Sequence, residues 1–391
     1  MPTITPEIII AYSQCPRKAY LLLFEKEEEI AVEYIELLEQ RKQYHREVYL
    51  NSITTIASEI VLSQMQELEY QGKSYLSKVT LQFNEFQAEC DLLCVEQVEE
   101  GNIDNLRYEP RIFTGTYSVT KEQKFNLLFI GYLLQKILKI PINKGKIISL
   151  DNSYHTIKLN DNSKFVKPLI NPIEEWIKTF PSEAPPVILN KYCPYCQFQV
   201  NCRKKAEQVN DLSLLASMTA KSWQRYHKRG IFTIKQLSYL YKPKRRRKNQ
   251  KKTFSRHKPE LQALAIRTGK IYLQDIPLLV RQDVEIFLDI EGVRDQKFYY
   301  LIGLLICVKG EINYYSFWAD NIKEEEKVCW QLIEIINIYP EAPIYHYGSY
   351  ETKAIKKLFK SYLDEDNYKL IEKRLINVNQ YIDIVIVCLL F

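Results

Sequence analysis

Val284-Glu285-Ile286-Phe287-Leu288-Asp289-Ile290-Glu291-Gly292 runs from branched and aromatic residues into two acids two positions apart. Such a run predicts a buried strand whose end carries Asp289 and Glu291. The two-residue period of a strand sets both carboxylates on one face, where they can share a divalent metal ion. Buried like charges repel, so a cation is expected between them. Strand-end acids also occur for purely structural reasons, and the spacing alone leaves that reading open.

Working outward, Tyr299 to Val308 reads as the hairpin partner of this strand and Ile312 to Trp318 as a third strand. A helix is expected over Lys323 to Ile338, a strand over Pro343 to Tyr347 and a helix over Tyr350 to Leu363. This β-β-β-α-β-α order is that of the first half of a ribonuclease-H-like layer. Glu351 opens the last helix and is a third candidate acid, or a carboxylate complementing the helix dipole. Asp383, in Gln380-Tyr381-Ile382-Asp383-Ile384, is a weaker fourth candidate.

Upstream lies Lys242 to Lys258, KPKRRRKNQKKTFSRHK, which holds ten Lys or Arg and no acid. The whole chain of 391 residues has a net charge of +6, so without this strip it is a mildly acidic globule. Lys244, Arg245, Arg246, Arg247, Lys248, Lys251 and Lys252 form a candidate phosphate-contacting surface, with a solvated linker as the alternative. Leu212 to Tyr241 before it reads as two or three short helices, with Gly230-Ile231-Phe232-Thr233 at a turn in helix–turn–helix-like spacing. Pro259 to Leu273 reads as a further helix.

Farther upstream, Cys193, Cys196 and Cys202 are spaced C-x2-C-x5-C, and Cys15 in Ser13-Gln14-Cys15-Pro16-Arg17 is a possible fourth partner. Thiolates at this spacing can converge on one centre. Three clustered cysteines and one remote one suit a [4Fe–4S] cluster; zinc, or unmetallated core cysteines, are the alternatives. Cys90, Cys94, Cys307, Cys329 and Cys388 sit in apolar patterns and read as core residues.

Between Cys15 and Cys193 the sequence predicts helices over 4–24 and 25–50 and an amphipathic helix over 51–70. A β-like stretch over 79–95 follows, then a strand over 107–113 in which Pro110 argues for an edge or a bulge. A buried helix over 125–140, a hairpin over 146–159 and a helix over 165–180 complete this part.

The composition is globular, with 46% hydrophobic and 26% charged residues. No apolar run is long enough to span a membrane, and the N-terminus lacks the basic start of a secretory signal. A cytoplasmic, reducing location is expected, where cysteines bind metals more often than they form disulfides.

Cys15-Pro16-Arg17 with Cys193-Pro194-Tyr195-Cys196 and Cys202 resembles the iron–sulfur RecB-type nucleases, including CRISPR-associated RecB-like exonucleases. Asp289-Ile290-Glu291-Gly292, with Tyr345-His346-Tyr347-Gly348-Ser349-Tyr350-Glu351, resembles the ribonuclease-H-like exonuclease domain of the YprB type that some of these proteins append. The resemblance implies an α/β chain in three parts. Residues 1–207 would be a restriction-endonuclease-like PD-(D/E)XK domain bearing the iron–sulfur cysteines, 208–280 a helical DNA-binding segment with the basic linker, and 281–391 a partial ribonuclease-H-like domain. It implies a Mg²⁺- or Mn²⁺-dependent DNA nuclease of DNA repair, acting on single strands or duplex ends, with no membrane partner.

By the same resemblance, His45 and Asp91 occupy metal-binding positions of the first domain, and Glu109 stands near the acid-x-Lys motif. The motif itself is altered: Arg111 is the only cation at the right spacing, and an arginine stays protonated and is a poor base. A Gln-x-x-x-Tyr helix motif has Tyr132 but Leu128 in place of glutamine. The family continues past residue 391 and supplies its last acid there, so the chain is expected to be truncated. Each residue also has a plain reading, His45 as a helix histidine and Asp91 as a strand-end acid. The first site is expected to be degenerate, and a non-hydrolytic nucleic-acid-binding iron–sulfur protein or a zinc-stabilised adaptor are the alternatives to a nuclease.

Overall fold

The computed structural model describes residues 2–25, 32–53, 57–63, 73–97, 106–160, 162–216, 218–242, 259–273, 282–293, 296, 298–363, 365–378 and 384–385. The strip Lys244 to Lys252, Asp383 and Cys388 lie outside them. The chain divides into two compact units, Met1–Arg229 and Gly230–Phe391, so the segment 208–280 is shared between the two.

In the first unit, α1 (Pro6–Gln14) and α2 (Pro16–Phe24) are separated by Cys15, which is extended at φ −160°. Each helix starts on a proline, which fits the first turn because its missing N–H would be unbonded there anyway. The single helical period expected over 4–24 is therefore two helices with Cys15 at the corner. α3 (Glu33–Asn51) buries only His45 and leaves Tyr34, Ile35, Leu37, Tyr44 and Val48 exposed. It crosses Gly115 so closely that a Cβ there would collide with the Leu38 carbonyl oxygen.

The helix expected over 51–70 is not what residues 57–63 form. They make two short strands, β1 (Ala57–Ser58) and β2 (Val61–Leu62), both parallel to β3 (Lys73–Phe83). Leu62 is 3% exposed against that strand, and pairing to a free sheet edge overrides a helical pattern that has little else to pack on.

β3 turns back at Asn84 into β4 (Phe86–Gln97), and β5 (Leu106–Phe113) follows antiparallel. After α4 (Lys121–Leu138) come β6 (Lys144–Ile148), parallel to β5, and β7 (Tyr154–Lys158), antiparallel to β6. The mixed sheet runs β1-β3-β4-β5-β6-β7, with β2 also on β3. β6 joins β5 only from Arg111 onward, so Pro110 stands where β5 is still unpaired on that side.

α4 begins with a capping box, Thr120 and Gln123 exchanging side chain–backbone bonds, and buries ten residues that include Phe129 and Leu133. With α1 and α5 (Asn162–Thr179) it covers one sheet face and encloses the main core around Ile4, Leu81, Leu93 and Ile147. α6 (Gln199–Gln208) and α7 (Ala220–His227) end the unit, linked by Asp211, which accepts from Ser213 N–H at 2.7 Å and from the Trp223 indole N–H at 3.1 Å.

The second unit opens with α8 (Ile234–Ser238), α9 (Pro259–Thr268) and β8 (Tyr272–Leu273). Its sheet comprises β9 (Val284–Val293), β10 (Phe298–Val308) and β11 (Glu311–Trp318), then α10 (Glu325–Ile338), β12 (Ile344–His346), α11 (Tyr350–Tyr362), α12 (Glu365–Glu372) and β13 (Leu375–Asn377). β14 (Ile384–Val385) pairs with β8. The five strands run β11-β10-β9-β12-β13, with β9 central, antiparallel to β10 and parallel to β12. The β-β-β-α-β-α order expected from the sequence is present. Among the described residues no helix is long and apolar enough to cross a membrane.

Candidate functional sites

The four cysteines singled out by spacing line one hollow, although Cys15 lies far from the other three in sequence. The corner between α1 and α2 delivers Cys15; a 3-10 turn over Cys193–Tyr195 presents Cys193 and leads to Cys196, and the first turn of α6 supplies Cys202. The sulfurs are met by N–H donors: Asn190 N–H donates to Cys193 Sγ at 3.2 Å, the Arg17 and Lys18 amides face Cys15, and the Arg17 side chain bonds Cys202. Arg17 is itself anchored by Nη1 donating to the Pro185 carbonyl at 2.7 Å. Burial pushes the Cys15, Cys193 and Cys202 thiols up, so metal binding there would release protons. A soft, hydrogen-bonded thiol set of this kind fits a thiophilic metal centre.

The first unit's candidate acids are engaged by cations. Asp91, 4% exposed, accepts from Arg46 Nη1 at 3.0 Å and from the Phe113 backbone N–H at 2.8 Å. Glu109 accepts from Arg111 Nε at 2.9 Å and Nη2 at 2.7 Å, with Lys146 Nζ at 3.2 Å and Lys144 Nζ at 3.5 Å. Burial opposes ionisation of Glu109, but the Arg111 hydrogen bond and the Arg111 and Lys146 charges hold it below the ordinary carboxylate range. His45 is buried edge-on to Phe113, with its Nε2 3.0 Å from Asn152 Oδ1. Leu128 and Tyr132 both lie in the apolar core.

In the second unit the alternation along β9 is clean. Ile286, Leu288 and Ile290 enter the core with α10 and α11, whereas Phe287, Asp289 and Glu291 are exposed on the opposite face. The strand is thus buried on one side only, and the acids are not in the buried setting expected from the sequence; solvent relieves their mutual repulsion without an obligatory cation. Cross-strand register places Gly303 opposite Asp289 and Leu301 opposite Glu291. A hollow opens there, walled by Phe287, Leu305 and Tyr314. Gly303 keeps it open, because a Cβ would meet the Tyr314 hydroxyl at 3.3 Å.

Glu351 faces the other way. It lies in the first turn of α11, 6% exposed, with Oε2 3.6 Å from His346 Nδ1. Burial pulls the His346 pKa down, opposed by the Glu351 charge. Asp289 and Glu291 are therefore brought together and Glu351 is paired with a histidine. Among the described residues no three His, Cys, Asp or Glu side chains form a group that could hold a metal ion.

The partners that sequence reading passed over are Arg46, Lys144, Lys146 and Tyr314, whereas Arg17 stood in the Cys15-Pro16-Arg17 motif without a role. Of those passed over, only Lys144 and Lys146 carried a signal, as alternate residues of a short strand.

A family profile of the RNase_H superfamily matches residues 286–388. No protein of curated function matches the chain. The matched stretch begins on β9 and includes Asp289, Glu291 and Glu351.

Proposed function

We propose that the protein is a metal-dependent nucleic-acid hydrolase whose chemistry belongs to its ribonuclease-H-like second unit. Asp289 and Glu291 are the metal-holding acids in this reading. The observation that carries it is their side-by-side exposure on the central strand, above an open hollow, within the segment matched by the RNase_H superfamily. A divalent Mg²⁺ or Mn²⁺ bound there supplies phosphate polarisation and a water of lowered pKa. Asp289 and Glu291 would hold it, and the Tyr314 wall would limit how a strand enters.

The first unit is read as a RecB-like PD-(D/E)XK domain that no longer hydrolyses. Support comes from the ion pairs: Asp91 is committed to Arg46, and Glu109 to Arg111 and two lysines. Its four cysteines are read as ligands of a [4Fe–4S] cluster. What supports the cluster over zinc is the spacing, three clustered cysteines and one remote one, together with the hollow that all four line. The substrate in this reading is DNA, with the strip Lys244 to Lys252 gripping its backbone, in the cytoplasm.

The test is Mg²⁺- or Mn²⁺-dependent degradation of labelled single-stranded DNA. Activity lost in Asp289→Asn and retained in Asp91→Asn supports the reading; the reverse pattern places the chemistry in the first unit. A second reading, a non-hydrolytic nucleic-acid-binding protein, is favoured by those same neutralised acids. It wins if salt-sensitive binding occurs with no cleavage by the wild-type chain.

A further inference from the structure

One sheet face of the first unit carries more positive charge than its fold uses. Register fixes the arrangement. Across β4, β5, β6 and β7 one row reads Cys94, Glu109, Lys144, Lys158, with Cys94 opposite Glu109 and Lys144 opposite Lys158. The next row reads Leu92, Arg111, Lys146, Thr156, and the third Phe113, Ile148, Tyr154. Four cations thus share a face with one carboxylate in its central rows. The row beyond places Lys73 opposite Glu96 and Glu96 opposite Arg107, again more cations than carboxylates.

Glu109 already accepts from Arg111 and lies within ion-pair reach of Lys144 and Lys146. It offers nothing further to Lys158, which is exposed directly opposite the exposed Lys144. Like charges in directly opposed cross-strand positions are destabilising. A hairpin that places Lys144 against Lys158 therefore gains from an anion laid between them. Tyrosines border the cations: Lys146 Nζ lies 5.5 Å from the Tyr154 ring centre and Arg111 5.6 Å from that of Tyr75. Tyr154 is 51% exposed, so its ring is available to a base.

We infer that this face binds the phosphodiester backbone of a nucleic-acid strand, with Lys144 and Lys158 flanking phosphate oxygens and Tyr154 beside a base. The inference rests on the nucleic-acid reading above and adds a location, the face where Glu109 is already neutralised. Arg111 is the fixed member of the set: Glu109 holds it in place, and it lends charge without reaching out. The exposed lysines make the contacts.

The experiment titrates a fluorescein-labelled single-stranded DNA oligonucleotide with the full chain at several salt concentrations. Lys144→Glu/Lys158→Glu should weaken binding at least about tenfold and flatten the log–log salt dependence by about 1.4, two contacts at about 0.7 each. The milder Lys158→Gln should weaken binding while leaving the melting temperature unchanged or raised, because it removes a repulsion. Wild-type affinity and slope in both variants would overturn the inference and leave the nucleic-acid reading standing. A wild-type chain that does not bind the oligonucleotide would overturn both. A fall in the melting temperature for Lys158→Gln would make that lysine structural and also overturn the inference.

Discussion

Arg46 Nη1 stands 3.0 Å from Asp91 Oδ1, and the other Asp91 oxygen accepts the Phe113 backbone N–H at 2.8 Å. The pair joins α3 to the sheet interior. Burial works against the Arg46 charge, but the Asp91 hydrogen bond and charge outweigh it and raise its pKa. Removing one partner of such a pair leaves an uncompensated buried charge, which costs on the order of 3 kcal/mol. Arg46→Ala should lower first-unit stability by about that amount, read from urea unfolding. Arg46→Ala/Asp91→Asn should recover much of the loss, because no charge is then left buried; an equally unstable double variant would contradict this account.

Gly303 holds open the hollow beside Asp289. Gly303→Val would push into the Tyr314 hydroxyl, a side chain that is 66% exposed and free to move aside. The fold should survive while the acids lose access. Hydrolysis should fall on the order of 100-fold, the cost of a small misplacement at a reacting centre, with far-UV circular dichroism unchanged. Full activity in this variant would move the site elsewhere.

The cysteine pocket makes a compositional prediction. Cys193→Ser or Cys202→Ser should strip iron and sulfide from anaerobically purified protein and loosen the α2–α6 region. Cys90→Ser should keep both, since Cys90 is fully buried among core residues and its thiol is raised to about 12 by burial. Zinc without iron in the wild type would replace the cluster with a single ion.

Acidification should weaken both units below about pH 6.5, because burial lowers the pKa of His346 in the second and of His227 in the first, and should weaken the first again below about pH 4.5. His346 has a folded pKa below its ordinary 6.5, burial being the main cause, so its contribution is present above about pH 6.5 and is lost as pH falls below that. Glu109 is depressed below 4.5 despite its burial, through Arg111 and Lys146, so its contribution persists down to about pH 4.5 and is lost as pH falls through its folded value. Urea midpoints between pH 8 and pH 3, followed with a probe in each unit, should show both weakening in the upper window and the first unit weakening further in the lower one. His346→Gln should flatten the upper window.

Much of the second unit was legible because its signals are local. The apolar run of β9, the acids at period 2 and the helix patterns of α10 and α11 appear in sequence order and fold in that order. The depth of β9 was misread, since an apolar run does not say whether one face or both are covered. In the first unit, residues 57–63 went astray for a related reason: a short polar-apolar pattern becomes strand when a sheet edge stands ready. Glu351 was singled out because the resembled family places a metal acid at that point, and in the fold its Oε2 lies 3.6 Å from His346 Nδ1.

The sequence by itself determined the four cysteines, the order of the second unit's elements and the acid pair on β9, because each depends on spacing within one element or on residue chemistry. Tertiary structure alone decided that the four thiols share one hollow, that Asp91 and Glu109 are neutralised, and that Lys144 faces Lys158. Charge pairing across strands depends on register and on which helix crosses the sheet. Those are fixed by packing among residues far apart in the chain, so no local pattern announces them.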